Sequence, residues 1–129
     1  PLQYQILKNR NKIYMSLIKA VKKVDAGPIY LQNHFYLDGT ELSEQIRKIQ
    51  GDQFLKIIKQ FLIKFPKINS RNQKGRGNFN KRRYPKNSEL DINKTIRQQF
   101  NHLRINDNEK YPSFFNFKGQ KYIIKIFKN

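Results

Sequence analysis

The chain has 129 residues, 37% of them hydrophobic and 13% aromatic, with 27 Lys and Arg against 9 Asp and Glu for a formal net charge of +18. That length holds one ordinary domain or two pieces of a larger one, and ten Phe with seven Tyr supply a core that a disordered chain lacks. The absence of Cys excludes disulfides, thiolate metal sites and Cys nucleophiles, and the two His, His34 and His102, share no ligand spacing, which argues against a zinc centre.

In chain order, Leu2, Ile6 and Leu7 give a weak helical signal. Residues 13–21 and 29–37, rich in β-branched and aromatic side chains, are expected to be strands. Between them Lys22 to Pro28 forms a polar turn with Gly27 and Pro28 adjacent. A long helix is expected from Thr40, because Leu42, Ile46, Ile49, Phe54, Ile57, Ile58, Phe61, Leu62 and Phe65 recur at three- and four-residue steps. Thr40 is its expected cap, Glu41 and Glu44 favour its positive end, Gly51 marks a candidate break, and Pro66 ends it.

Residues 66–90 carry little apolar content and eight Lys or Arg against one Glu, and read as an extended linker or basic loop. A second helix follows, capped by Asp91 or Asn93, with Ile96, Phe100 and Leu103 on one face. Phe114 to Phe117 and Tyr122 to Phe127, around Lys118, Gly119 and Gln120, read as a β-hairpin. Its edge offers a surface for a homodimer. No apolar run approaches the roughly 18 residues of a membrane span and no signal peptide is visible, so the expected setting is cytoplasmic, without a membrane partner. The net charge attracts phosphate at long range. Abundant Lys, Asn and Ile throughout the chain also fit a compositional bias, and charge leaves both readings open.

The segment Lys23-Val24-Asp25-Ala26-Gly27-Pro28-Ile29 resembles the L-D-T/S-G-x-I loop of the formyltransferase family, which includes methionyl-tRNA formyltransferase and the sugar N-formyltransferases. Pro1-Leu2 stands about two dozen residues upstream, where that family begins a Pro-Ile or Pro-Leu helix. Downstream, Lys81-Arg82-Arg83-Tyr84-Pro85-Lys86-Asn87-Ser88-Glu89-Leu90-Asp91 is similar to the family's R-R-x-P-x-D-S-x-I-D signature. Leu103-Arg104-Ile105 is similar to its I-R-A, and Tyr111-Pro112 with the final strands to its ending. Ala26 stands where the family has Thr or Ser, and Asn87 where it has Asp. The family's Asn-x-His segment, which supplies two of three catalytic residues, would lie just before Pro1.

The resemblance implies an α/β fold: the C-terminal portion of a Rossmann-like catalytic domain over residues 1–65, a basic linker over 66–87, and a small α+β unit, helix plus β-hairpin, over 88–129. It implies 10-formyltetrahydrofolate as formyl donor. Asp25 would be the carboxylate that orients the catalytic imidazole, Val24 and Gly27 would lie against the folate, and Arg82 and Arg83 would grip the phosphates of a nucleotide-linked amino sugar. No residue is assigned to a metal. The arginine-rich wording and the short C-terminal unit favour a sugar acceptor; the charge fits tRNA, the acceptor in the methionyl-tRNA alternative. A stand-alone basic nucleic-acid-binding module is the third reading. On the formyltransferase reading this chain alone would be inactive, since one carboxylate cannot replace the imidazole and amide.

Read from the residues alone, Asp25 is either a carboxylate displayed at a strand end or an Asp that serves its own turn through a local hydrogen bond. His34 and His102 read as packed or surface residues. Glu89 and Asp91 are candidates to pair with the neighbouring arginines, and Arg104 is expected to meet a helix dipole or a structural carboxylate. Tyr111, Phe114 and Phe115 are candidate core of the small C-terminal unit.

Overall fold

A computed structural model describes residues 2–75, 77 and 80–129. Pro1, expected to open the first helix, and Arg76, Asn78 and Phe79 of the basic loop lie outside the described residues. The elements run α1 (Leu2–Leu7), β1 (Lys12–Ile18), β2 (Ile29–Tyr36), α2 (Ser43–Lys64), a short 3-10 helix (Pro85–Ser88), α3 (Ile96–Ile105), β3 (Ser113–Phe117) and β4 (Gln120–Ile124). The strands form two antiparallel pairs, β1 with β2 and β3 with β4. The chain folds into two compact units that interleave along the sequence. One comprises Pro1–Asn11, Leu37–Arg47 and Asn80–Asn129, the other Lys12–Tyr36 and Lys48–Phe79.

In the second unit the alternation of side chains decides the architecture. Ile13 pairs with Phe35, Met15 with Asn33 and Leu17 with Leu31, and these residues are buried or half-buried on one face. Tyr14, Ser16, Gln32, His34 and Tyr36 occupy the other and are exposed. The long helix meets this hairpin through Tyr30 and Phe61, whose ring centroids are 5.1 Å apart, and through a hydrogen bond from Asn33 Nδ2 to Gln60 Oε1 of 3.0 Å. Gly51 does not break α2, which runs on through it for 22 residues. A single Gly costs a helix only about 1 kcal/mol, and tertiary packing outweighs that. Ile57 is buried, whereas Phe54, Leu55, Ile58, Leu62, Ile63 and Phe65 keep 43–79% of their surface exposed. Of the expected apolar stripe, Phe54, Ile58, Leu62 and Phe65 are exposed, while Ile46 and Ile57 are buried and Leu42, Ile49 and Phe61 half-buried.

The first unit has its core in Ile6, Leu37, Ile46, Leu90, Leu103, Ile105 and Phe114. Thr40 is not the cap of α2. Its amide donates to Asp38 Oδ1 at 2.7 Å, and the Glu41 carboxylate accepts from the amides of Asp38 and Gly39, so these residues close a turn before the helix starts at Ser43. The cap of α3 is Thr95 rather than Asp91 or Asn93. Thr95 Oγ1 accepts from the Gln98 amide, and Gln98 Oε1 accepts from the Thr95 amide, a reciprocal capping box. Asp91 closes the preceding turn by accepting from the Asn93 amide. Among the described residues Glu89 and Asp91 do not pair with the neighbouring Arg82 or Arg83: Glu89 accepts from Asn116, and Asp91 lies 3.7 Å from Lys94. Tyr111 stays exposed, while Phe114 is buried and Phe115 half-buried against Tyr122, their rings stacked at 5.2 Å. The hairpin turn places Lys118 and Gly119 both at positive φ, 48° and 76°, the tight turn whose twist matches antiparallel strands.

Candidate functional site

Asp25 lies in the connection between β1 and β2, at φ 56°, with an exposed side chain. The left-handed conformation disfavours most residues and is tolerated best by Gly, Asn and Asp. Three features hold this loop in place. The Lys19 amide donates to the Pro28 carbonyl at 2.9 Å, closing its base. Gln73 Nε2 donates to the carbonyl oxygens of both Asp25 and Gly27, each at 2.7 Å. Gly27 is buried so closely against the backbone that a Cβ there would lie 1.7 Å from the Lys19 carbonyl oxygen. The backbone carrying Asp25 is thus fixed while the carboxylate faces solvent, and Val24 beside it is 84% exposed. A displayed carboxylate next to a bare apolar side chain suits contact with a partly apolar, partly polar ligand.

The sequence-assigned residues fall in two groups. Val24, Asp25 and Gly27 share this one loop. Arg82 and Arg83 belong to the other unit, where they line a cleft of about 160 Å³ with Arg47, Tyr84, Asn106 and Asp107. Arg83 is committed to structure: its Nη2 donates to the Asn87 carbonyl at 2.8 Å and to Asn106 Oδ1 at 3.2 Å. Burial lowers its pKa. Arg82 is exposed, its guanidinium 5.8 Å from the Tyr84 ring. Asn87 caps the 3-10 turn by accepting from the Tyr84 amide at 2.7 Å, which a neutral amide does as well as a carboxylate.

Sequence reasoning missed two features. Gln73, 48 residues from Asp25, carries no sequence signal that ties it to the loop. The exposed aromatic row on β1 and β2 was signalled: Tyr14, His34 and Tyr36 occupy even positions, all on the face opposite the buried Ile13 and Phe35. Lys12 joins them, with Nζ 5.4 Å from the Tyr14 ring centroid and 5.8 Å from that of Tyr36, and hydrogen bonding to both tyrosines raises its pKa. Among the described residues no group of His, Asp and Glu is placed to hold a metal ion, and no helix is long and apolar enough to cross a membrane.

The sequence matches no family model and no curated protein. The fold does match solved structures. A methionyl-tRNA formyltransferase from Clostridium thermocellum aligns at a TM-score of 0.75 and 24% identity, over 94% of this chain and 52% of the other. A 4-N formyltransferase from Francisella tularensis aligns at 0.71 and 23%, over 98% and 55%. A sugar N-formyltransferase from a Shewanella species aligns at 0.77 and 16%, over 98% and 54%. The chain is therefore similar in fold to formyltransferases of both the tRNA and the sugar kind, and it spans about half the length of those structures.

Proposed function

We propose that this chain forms one half of a 10-formyltetrahydrofolate-dependent N-formyltransferase whose acceptor is the amine of a nucleotide-linked amino sugar. The observation that carries the reading is the Asp25 loop, a displayed carboxylate on a backbone braced by the close packing of Gly27 and by hydrogen bonds from Lys19 and Gln73. Formyl transfer to an amine is acyl transfer through a tetrahedral intermediate, and it needs a base for the amine proton and a stabiliser for the oxyanion. The folate supplies the activated formyl group. Asp25 accepts a hydrogen bond from the imidazole that takes the amine proton, fixing its tautomer and favouring its charged form. A fixed backbone matters there because an orienting carboxylate acts only at the right angle and distance.

Val24, bare and apolar, is the side chain assigned in this reading to contact with a pterin or benzoyl ring of the folate. The Arg82 guanidinium, exposed beside the cleft, is the group available to a phosphate, while Arg83 holds the cleft wall. The exposed apolar side chains of α2 support the reading as half of a larger fold, since a helix stripe of that kind is ordinarily buried against a further layer. The edge of β4, with Tyr122 and Ile123 exposed, is available for strand pairing in a homodimer.

The test is formyl transfer by the complete protein encoded with this chain, offered nucleotide-linked amino sugars and, separately, methionyl-tRNA. Formylation of the sugar, lost on the order of 10³–10⁴-fold in Asp25→Asn, is the expected result, by analogy with orienting carboxylates elsewhere. Formylation of the tRNA alone would replace the acceptor, and turnover of neither would overturn the reading.

A further inference from the structure

The exposed face of the β1–β2 hairpin carries a row of rings that the formyl-transfer reading does not use. Tyr14 and His34 are cross-strand partners with ring centroids 5.8 Å apart, and His34 meets Tyr36 edge-on at 5.4 Å. Tyr14 keeps 50% of its surface and Tyr36 65%. At the far end of the same face Arg71 donates to Gln32 Oε1 at 2.8 Å, and Gln32 donates to Ser16 Oγ. A guanidinium and an ammonium thus flank the aromatic row, one toward each end.

The sequence charge of the unit that carries this face is lopsided. The unit that contains it has twelve Lys and Arg against Asp25 and Asp52 alone, twice the imbalance of the whole chain, which has 27 against 9. A uniform compositional bias would give both units the same ratio. Cations alone attract any polyanion; accessible rings set between cations select one whose charged groups alternate with flat, stackable ones. Double-stranded nucleic acid hides its bases from such a face, and an acidic polypeptide has no regular series of planar groups to offer it.

From this juxtaposition we infer that the β1–β2 face binds single-stranded nucleic acid, its bases stacking on Tyr14, His34 and Tyr36 and its phosphates meeting Lys12 and Arg71. Binding of this kind tolerates any sequence, because every base has a flat face, and it is independent of which amine receives a formyl group.

The experiment is fluorescence anisotropy of a labelled oligouridine with the complete protein encoded with this chain at several salt concentrations, repeated with inorganic polyphosphate as competitor. Tyr14→Ala and Tyr36→Ala are each expected to weaken oligouridine binding about tenfold with the salt dependence unchanged, and to leave competition by polyphosphate as it was. Lys12→Gln is expected to reduce the salt slope instead. Circular dichroism of each variant separates lost binding from lost fold. Equal affinity of the tyrosine variants and the parent, binding only of duplex or of an acidic polypeptide, or no binding of oligouridine would each overturn the inference.

Discussion

The guanidinium of Arg104, 1% exposed, meets the carboxylate of Glu41 at 3.4 Å and the Glu41 carbonyl at 3.3 Å. The two residues are 63 positions apart and join α3 to the turn that opens α2. Arg104 Nε also donates to Asn101 Oδ1 at 2.7 Å, while Nη2 is buried without a partner among the described residues. Glu41 is itself spoken for, accepting from the Asp38 and Gly39 amides. Burial lowers the Arg104 pKa, and the nearby carboxylates of Glu41 and Asp38 partly offset that.

Losing the carboxylate should therefore cost more than losing the cation, because Glu41 keeps two amide donors and a partly accessible side chain whereas the Arg104 side chain is fully buried. Glu41→Ala leaves a buried charge uncompensated and frees two amides, and is expected to destabilise the chain by about 3–5 kcal/mol. Arg104→Met removes the charge and the unpaired Nη2 and leaves Glu41 its two amide donors, so it should cost less than Glu41→Ala, about 2–3 kcal/mol. Urea unfolding of both variants checks the order; a Glu41→Ala milder than Arg104→Met would refute it.

The Asp25 loop yields a second pair of expectations. Gly27→Ala places a methyl against the Lys19 carbonyl, and no flexible side chain is there to yield. The backbone must move, at a cost of about 1–3 kcal/mol. Gln73→Ala removes two hydrogen bonds to exposed or half-buried carbonyls and should cost only about 1 kcal/mol. Amide exchange at residues 24–27 should accelerate in both variants. An unchanged exchange rate in Gln73→Ala would mean that the clamp does not hold the loop.

Much of this was legible in the sequence, for reasons that differ by element. β1, β2 and the β3–β4 turn were readable because side-chain alternation and a Lys-Gly turn are local signals. The apolar repeat of α2 was equally visible, but periodicity does not say which members of a stripe find a partner, so the exposure of Leu62 and Phe65 was not. Caps were misplaced because Thr40 and Asp91 are good cap residues that serve neighbouring turns instead. At the site, Asp25 and Gly27 were read from a local motif. Gln73 and the Glu41–Arg104 pair are contacts across long sequence separations, which one sequence does not encode in any local pattern.

Asp107 illustrates how a turn carboxylate couples stability to acid. Its Oδ1 accepts from the amides of Lys110 and Glu109, each at 2.9 Å, and its Oδ2 lies 3.0 Å from Arg47 Nη1. Those backbone hydrogen bonds, with a smaller effect of Arg47, hold its pKa below the usual 3.8. A depressed carboxyl pKa contributes stability that is present above the unfolded value and lost as pH falls through the folded one. Asp107→Asn should lower stability at neutral pH by about 1–2 kcal/mol and flatten its decline below pH 3.8. Parallel acid slopes for parent and variant would show that Asp107 does not carry the effect.

His102 acts in the same direction and at milder pH. Its Nε2 meets the Asn87 carbonyl, so the neutral ring carries its proton on that nitrogen. Burial lowers its pKa from 6.5, the Asn87 hydrogen bond works against that, and the positive charges of Arg83 and Lys94 add to the lowering. Because the folded pKa lies below the unfolded one, the unfolded chain binds the proton first as pH falls. The stabilisation is complete above pH 6.5 and is lost as pH drops toward the folded value. His102→Gln, which can still donate to the Asn87 carbonyl, should remove that loss while preserving stability at neutral pH. Urea midpoints across the interval just below pH 6.5 give the comparison, and the His102 ring resonances should titrate with a midpoint under 6.5. A midpoint at or above that value would show that the ring gains its charge in the folded chain as easily as in water.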